Sequence, residues 1–432
     1  MTRSTEAALI IAAAVLAATG VAIVEFTRGN WLDAQVAITF LVFIASFGGV
    51  HLAVRRWASG GSSLLLPTAT FLTAIGFIEI YRIDAEQAAL QRWSLMVAAA
   101  IAAGLLWLIR DSGVAVLRRY RYILLALAVG LLLLPLLPED FPIIHGAIVN
   151  GSRLWVRIDL PFIERTLSFQ PGEIAKVLIV SFLASYLAER ADAMATTTRK
   201  LGPLELPEPR NLGPILVAAG AAFLILIYQR DLGASLLLFA LFITMIYVAT
   251  SKPAYLVAGV GLAGVAGWVA YQSFAHVRLR IEAWLDPFGH YYDAGYQTVQ
   301  GLFAMGSGSL TGSGIGLGRP DLIPAATTDF IFAAVAEEMG LAGSIAVLAG
   351  FSLLIAAGFG IATRSKDRYR KYLAGGLTAV IGIQAIIILA GVLRLLPITG
   401  LTLPFMSYGG SSLMANMVIL ALLLRISHEE RA

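Results

Sequence analysis

The sequence predicts an all-α, polytopic integral membrane protein of about twelve transmembrane helices, and three observations predict it. Apolar residues make up 58% of the 432-residue chain and charged residues only 13%, far from the soluble norm of roughly half and a quarter. Apolar runs long enough to cross a hydrocarbon core of about 30 Å recur from one end of the chain to the other. The Lys and Arg residues that separate those runs fall unevenly on the two sides, as the positive-inside rule requires.

Taken in order, windows of about 17 to 25 mostly apolar residues place spans near 7–26, 35–54, 64–80, 93–110, 121–137, 172–188, 213–228, 231–249, 254–274, 340–362, 371–393 and 404–425. The first is too long for the apolar core of a signal peptide and lacks a convincing small-residue cleavage site, so it is expected to remain as a helix in the membrane. With the N-terminus inside, 19 of the 31 Lys and Arg lie on the inner side, 11 on the outer side, and Lys176 within a span. Both termini are then cytoplasmic, in a multi-pass protein of the cell (cytoplasmic) membrane.

The chain reads as a single transmembrane domain, 1–432, with three sizeable connections. Two are outer loops, 138–170 and 274–328, and ordered loops of that length usually carry function. The third, 189–212, faces inside; its Pro and charge mark it as a solvated linker. There is no cysteine, which excludes disulfides and thiol chemistry. A net charge of +4 says little by itself about polyanions, and nucleic acid is not an expected partner.

The second outer loop runs through glycines 306, 308, 312, 314, 316 and 318. These match neither a dinucleotide fingerprint nor a P-loop, since no strand precedes and no Lys-Ser/Thr pair follows, so they read as a flexible or tightly turning segment. His290 with Asp286 and Asp293 lacks the spacing of an established metal site. Beyond the loop comes "IPAATTDFIFAAVAEEMG", Ile323 to Gly340, with three carboxylates beside an apolar run. Thr327 or Thr328 could cap a helix there, which would put Asp329 in its first turn, ionised and lowered in pKa by the helix dipole. On local sequence alone a helix-start role and a catalytic role stand level. One helix from Asp329 to Ala362 would be about 51 Å long, more than a bilayer core requires, so its first part should project, bend or lie at the outer interface. On a continuous helix Glu337 and Glu338 could not both share the face of Asp329.

Four segments in this order resemble the SEDS family (shape, elongation, division and sporulation), whose members include RodA, FtsW and SpoVE. They are "NGSRLWV" from Asn150, "FQPGEIAK" from Phe169, "DFIFAAVAEEMG" from Asp329 and "LPITGLTLPFMSYGGSS" from Leu396. "QRDLGASLL" from Gln229 and "WLDP" from Trp284 fit as well. The resemblance covers the chain from about Asn150 to the C-terminus. It departs from the family where a Glu and a His often precede the Asp, because Ala325 and Thr327 stand in those places. Two spans more than the common ten, both near the N-terminus, give a SEDS-type fold with two additional N-terminal helices, most similar to the longer RodA-like proteins of actinobacteria.

The resemblance implies an inverting peptidoglycan glycosyltransferase that polymerises lipid II into glycan strands on the outer membrane face, in elongation, division or sporulation. Asp329 matches the family's essential carboxylate, and the chemistry agrees. Glycosyl transfer from a lipid pyrophosphate needs one base for the acceptor hydroxyl and cations near the departing pyrophosphate. Arg153, Lys176 and Arg280 are the cationic candidates, since ionisable groups near membrane depth are costly to keep. Lys176 lies three residues after Glu173, so an intrahelical ion pair and substrate binding are both open. Trp155 matches the family's loop Trp, with an interfacial aromatic as the plainer reading. Asp231 could cap a helix, pair with Arg230 or touch substrate. Ser407, Gly409, Gly410, Ser411 and Ser412 read as architectural.

Implied partners are lipid II, the growing glycan strand, membrane lipids and a class B penicillin-binding protein that acts as transpeptidase. The cofactor requirement is unknown, a divalent cation being the one to test for. Two other classes remain open: a flippase or transporter of the lipid-linked precursor, and a non-catalytic scaffold for cell-wall synthases.

Overall fold

The structure, a computed structural model, describes residues 2–30, 33–141, 143–149, 152–160, 165–196, 198–201, 204–207 and 209–431, with side chains undescribed at 160, 165–167, 195–196, 198–201, 204–207, 209–212, 214 and 215. In chain order the helices and strands are α1 (Arg3–Thr27), α2 (Ala34–Phe43), α3 (Gly49–Trp57), α4 (Leu65–Ile83), α5 (Ala85–Leu108), α6 (Ala115–Arg119), α7 (Arg121–Leu133), β1 (Ile144–Val149), β2 (Ser152–Leu160), β3 (Arg165–Phe169), α8 (Pro171–Thr196), β4 (Thr198–Leu201), β5 (Leu204–Pro207), α9 (Pro209–Gln229), α10 (Leu232–Thr250), α11 (Ala254–Ser273), α12 (Ala275–Leu285), α13 (Tyr296–Gly308), α14 (Ile331–Glu338), α15 (Gly340–Arg364), α16 (Arg368–Val392) and α17 (Gly410–Glu429).

Each of the twelve expected spans contains helix, the solution that satisfies backbone polar groups in lipid, although the last, expected at 404–425, begins with a turn and becomes helical only at Gly410. Among the described residues nine helices are long and apolar enough to cross a membrane, so the protein is a multi-pass membrane protein. The other three spans lie in α4, α7 and α9; the apolar stretches of the last two, Arg121–Leu136 and Leu216–Gln229, are shorter. In α4, Glu79 and Arg82 dilute the apolar run.

The chain packs as two compact units. One comprises Met1–Arg110, Gly267–Gly358 and Gln384–Ala432. Its centre is α4, buried at nearly every position from Leu65 to Tyr81 and packed against α1, α5, α14 and α17. Local chemistry sets the helix starts: Asp33 accepts from the Gln35 N–H to open α2, and Asp84 accepts from Glu86 and Gln87 N–H to open α5, which satisfies otherwise orphaned donors.

The other unit comprises Asp111–Ala266 and Phe359–Ile383. There α7, α9 and α10 surround α8, and Asp231 caps α10 by accepting from Ala234 N–H at 2.8 Å, the capping role open to it in the sequence. The segment 138–170 contains an antiparallel sheet of order β1-β2-β3, with Ala147 opposite Trp155 and Arg157 opposite Ser168. The sequence carried its signal: polar Arg153, Arg157 and Asp159 with Trp155 alternate with Leu154, Val156 and Ile158, a period of two that belongs to a strand. The segment expected to be a linker also forms a hairpin, β4 against β5.

Candidate active site

Asp329 does not lie in the first turn of a helix. The chain from Pro324 to Phe330 is a turn, entered through Ala325 at φ +55°, and α14 begins only at Ile331, with Phe330 at its cap position and no side chain capping it. Thr327 and Thr328 spend their hydroxyls elsewhere and cap no helix, so Asp329 is not in the capped first-turn setting that the sequence suggested. Thr328 Oγ1 donates to the Ala325 carbonyl and to Asp329 Oδ1, each at 3.0 Å.

The surroundings move the Asp329 carboxyl above the ordinary aspartate value, the reverse of the sequence expectation. Burial is the dominant cause. Hydrogen bonds from Thr328, from the Asp329 backbone and from Gln297, together with the positive charge of Arg280, oppose it. The residue itself keeps part of its surface open. Such a group is harder to ionise and is the stronger base once ionised.

The structure brings Arg280 into the field of Asp329. Arg280, on α12, is anchored by Nη1 donating to the carbonyls of Ile398 (3.3 Å) and Thr399 (3.2 Å). One turn on, Trp284 Nε1 donates to the Arg394 carbonyl, while Arg394 Nε returns a bond to the Trp284 carbonyl. "WLDP" and "RLLPITG" therefore latch reciprocally.

The remaining expected residues belong to the other unit. Lys176 Nζ and Glu173 Oε2 form the anticipated intrahelical ion pair on α8, 2.7 Å apart and buried. Arg153 and Trp155 are half-buried on β2, two residues apart and hence on one face of the strand.

Glu337 and Glu338 have a definite job. The expected long helix is broken between α14 and α15 at Gly340, which has φ +63°, and the glycine-rich loop folds over the break. Ser313 and Gly314 N–H donate to the carbonyls of Glu337 and Glu338. Glu337 Oε1 accepts from Arg319 N–H at 2.8 Å. Glu338 Oε2 accepts from Gly316 N–H at 2.8 Å, and its Oε1 from Arg82 Nε at 3.1 Å. The approach needs glycine: a Cβ on Gly312 would lie 2.1 Å from the Glu338 carbonyl oxygen, and one on Gly340 would lie 2.2 Å from Gly312 N. Tight turning, rather than flexibility, accounts for Gly312, Gly314 and Gly316, all at positive φ, whereas Gly306 and Gly308, expected in the same turning segment, lie in helix α13. Glu79 on α4, fully buried, shares the electrostatic neighbourhood of Glu337, Glu338 and Arg82.

Ser407 has the architectural role read for it in the sequence, whereas Tyr408, Gln87 and Gln91, which also strap the Asp329 turn, were missed. Ser407 Oγ donates to the Thr328 carbonyl and accepts from Leu403 N–H. Tyr408 N–H donates to the Thr327 carbonyl at 2.8 Å. Gln87 and Gln91 reach these two turns from α5, and two glutamines four residues apart in an apolar helix were the available signal. At His290, Nδ1 stands 3.8 Å from Asp293 Oδ1 at the surface. Among the described residues no three His, Cys, Asp or Glu side chains gather as a metal site.

Comparison with known proteins gives concordant results. A model of the FtsW/RodA/SpoVE family, described as cell cycle protein, matches residues 62–432. The peptidoglycan glycosyltransferase RodA of Mycobacterium tuberculosis is 38% identical over 447 residues, covering 99% of this chain and 91% of that protein. Stage V sporulation protein E of Bacillus subtilis is 35% identical over 317 residues, covering 73% and 80%. A chain from a peptidoglycan synthase complex that coordinates polymerization and crosslinking superposes with a TM-score of 0.69 at 24% identity, over 86% of this chain and 98% of that one. The rod shape determining protein RodA of Thermus thermophilus does so with a TM-score of 0.60 at 23% identity, over 87% and 99%. At these identities the two solved structures speak for the fold.

Proposed function

The chain belongs to the FtsW/RodA/SpoVE family of cell cycle proteins, and from that premise we propose that it is a peptidoglycan glycosyltransferase with Asp329 as its general base. The substrate is lipid II, polymerised on the outer face of the cytoplasmic membrane with both termini of the chain inside. The observation that carries the base assignment is the state of Asp329: a carboxylate in a strapped turn, raised by burial, held in the field of Arg280, and still partly open.

In the reaction the ionised Asp329 takes the proton from the 4-hydroxyl of the acceptor N-acetylglucosamine as that oxygen attacks the anomeric carbon of the donor. The bond from that carbon to the pyrophosphate oxygen breaks, its electron pair leaves with the polyprenyl pyrophosphate, and the configuration inverts. One carboxylate suffices, as in the single-base half of an inverting glycosidase. Arg280 stabilises charge near the base. We assign Lys176, with Glu173 as its partner, and Arg153 and Trp155 to binding the lipid-linked substrate; Lys176 and Arg153 supply cationic donors suited to phosphate oxygens. A class B penicillin-binding protein is the proposed partner, consistent with the likeness to a chain of a peptidoglycan synthase complex.

Purified protein given fluorescent lipid II, alone and with such a transpeptidase, tests this reading. Glycan product is expected from the wild type and not from Asp329→Asn. Equal product from both would sink the base assignment. Movement of lipid II between leaflets without polymer would favour the flippase reading instead.

A further inference from the structure

We infer that Gln87 and Gln91 of α5 are positioning residues for Asp329, acting through the two turns that flank it; the inference rests on the reading of Asp329 as the base. The two side chains are one helical turn apart and therefore share a face. Gln87 Oε1 accepts from Thr327 Oγ1 at 2.8 Å. Gln91 is almost wholly buried, 2% exposed, and spans a turn: its Nε2 donates to the Ser407 carbonyl at 3.4 Å and its Oε1 accepts from Gly409 N–H at 3.3 Å.

That turn in turn holds the chain immediately ahead of the base. Ser407 Oγ and Tyr408 N–H take the carbonyls of Thr328 and Thr327. The backbone carbonyls of both residues preceding Asp329 are thereby fixed, and the Thr327 side chain is fixed by Gln87. Thr328, so placed, directs its hydroxyl to Asp329 Oδ1. A buried amide costs free energy unless it is hydrogen-bonded, which Gln91 meets at the Ser407–Gly409 turn; Gln87, half-buried in the first turn of α5, bonds the Thr327 side chain. Gln297 and Arg280 act on the carboxylate itself, but Asp329 lies outside the regular helix that follows, so these turns set where its backbone sits.

Positioning of this kind is catalytic in consequence, since a displacement of about 1 Å can cost on the order of 100-fold in rate. The experiment uses the full chain with fluorescent lipid II and compares Gln91→Met, Gln87→Met and Thr327→Val with Asp329→Asn. Trp93→Phe, on the exposed side of α5, is the control expected to behave as wild type. Gln91→Met and Gln87→Met are expected to lower kcat by about 10-fold or more, with half-saturation by lipid II within about two-fold. Their acid limb of kcat against pH moves to lower pH, because a loosened turn lets water reach the carboxylate. Thr327→Val, which breaks the Gln87 contact without touching α5, is expected to move the limb in the same direction.

A merely structural role would scale activity with the amount of folded protein and leave the limb where it is, and that result overturns the inference. So does full activity of both glutamine variants beside an inactive Asp329→Asn, which leaves the base assignment intact. Full activity of Asp329→Asn removes the base assignment, and the inference with it.

Discussion

Asp329 and the pair Glu337–Glu338 lie within ten residues of one another, in the same compact unit, yet their carboxylates are used in opposite ways. Those of the glutamates are spent on the loop 313–319 and on Arg82. Asp329 accepts from neighbours too, but its residue keeps open surface and no salt bridge closes on it within contact distance among the described residues. Burial raises the Glu338 carboxyl as well, but oxygens already held by backbone donors or a guanidinium and shut away from the surface make a poor proton acceptor, because no substrate hydroxyl reaches them. A carboxylate raised by burial and left accessible is a good one.

Asp329→Asn is the sharpest way to break this comparison. Loss of a general base should lower turnover by about 10²–10⁴-fold, whereas Glu337→Gln, which keeps an acceptor oxygen for Arg319 N–H, should stay within a few-fold. Glycan synthesis from fluorescent lipid II measures both, and a reversed ranking would refute the division of roles. The same Asn variant should also unfold at a higher temperature near neutral pH. The folded Asp329 carboxyl is raised above its unfolded value, so stability is full below the unfolded pKa and declines as pH rises through the folded one. Asn removes that penalty, and the gain should vanish at acid pH.

Arg82→Met strikes the other side. It would leave Glu338 buried and without its guanidinium, near Glu79 and Glu337, a change that typically costs about 3–5 kcal/mol. Thermal unfolding in detergent should fall accordingly, and Arg82→Met combined with Glu338→Gln should recover part of it. No recovery would mean that Arg82 works mainly through its bond to the Gly318 carbonyl.

A smaller effect lies in pH dependence. The base must be ionised, so kcat falls as pH drops through the raised Asp329 value, and the acid limb should stand above the ordinary aspartate range. A limb at or below that range would mean that the working carboxylate is not one raised by burial, and would sink Asp329 as the base.

How legible this was follows from where the information resides. Span positions and the motif around Asp329 could be read from the sequence because apolar runs and motifs are local. The Glu173–Lys176 pair was legible for the same reason, both partners lying on one helix turn. The ionisation of Asp329 was misread because burial outweighs the bonds and charge around it, and burial is set by tertiary packing that the local sequence does not show. The roles of Glu337 and Glu338 were illegible for a related reason. Adjacent residues on an ideal helix diverge by 100°, but here one loop wraps the end of α14 and meets both. The β-sheet was legible in its alternation, although hidden inside a segment classed as a loop.

The smallest expected effect concerns Ala325, where the family often carries Glu and this chain places a residue with φ +55°. A left-handed conformation costs a non-glycine residue about 1–2 kcal/mol, so Ala325→Gly relieves strain. Glycine also adds freedom to the unfolded chain, worth about 0.4–1 kcal/mol in the other direction. The net change in stability should therefore be a gain of between about 0 and 1.6 kcal/mol. Turnover should move the opposite way, falling a few-fold, because the Ala325 carbonyl accepts from Thr328 N–H, Thr328 Oγ1 and Phe330 N–H on either side of the base. Thermal unfolding and lipid II turnover on one preparation decide it. A more stable and equally active Ala325→Gly would mean that the turn's placement is fixed wholly by the Ser407 and Gln87 contacts, and that the strain at Ala325 contributes nothing to the base.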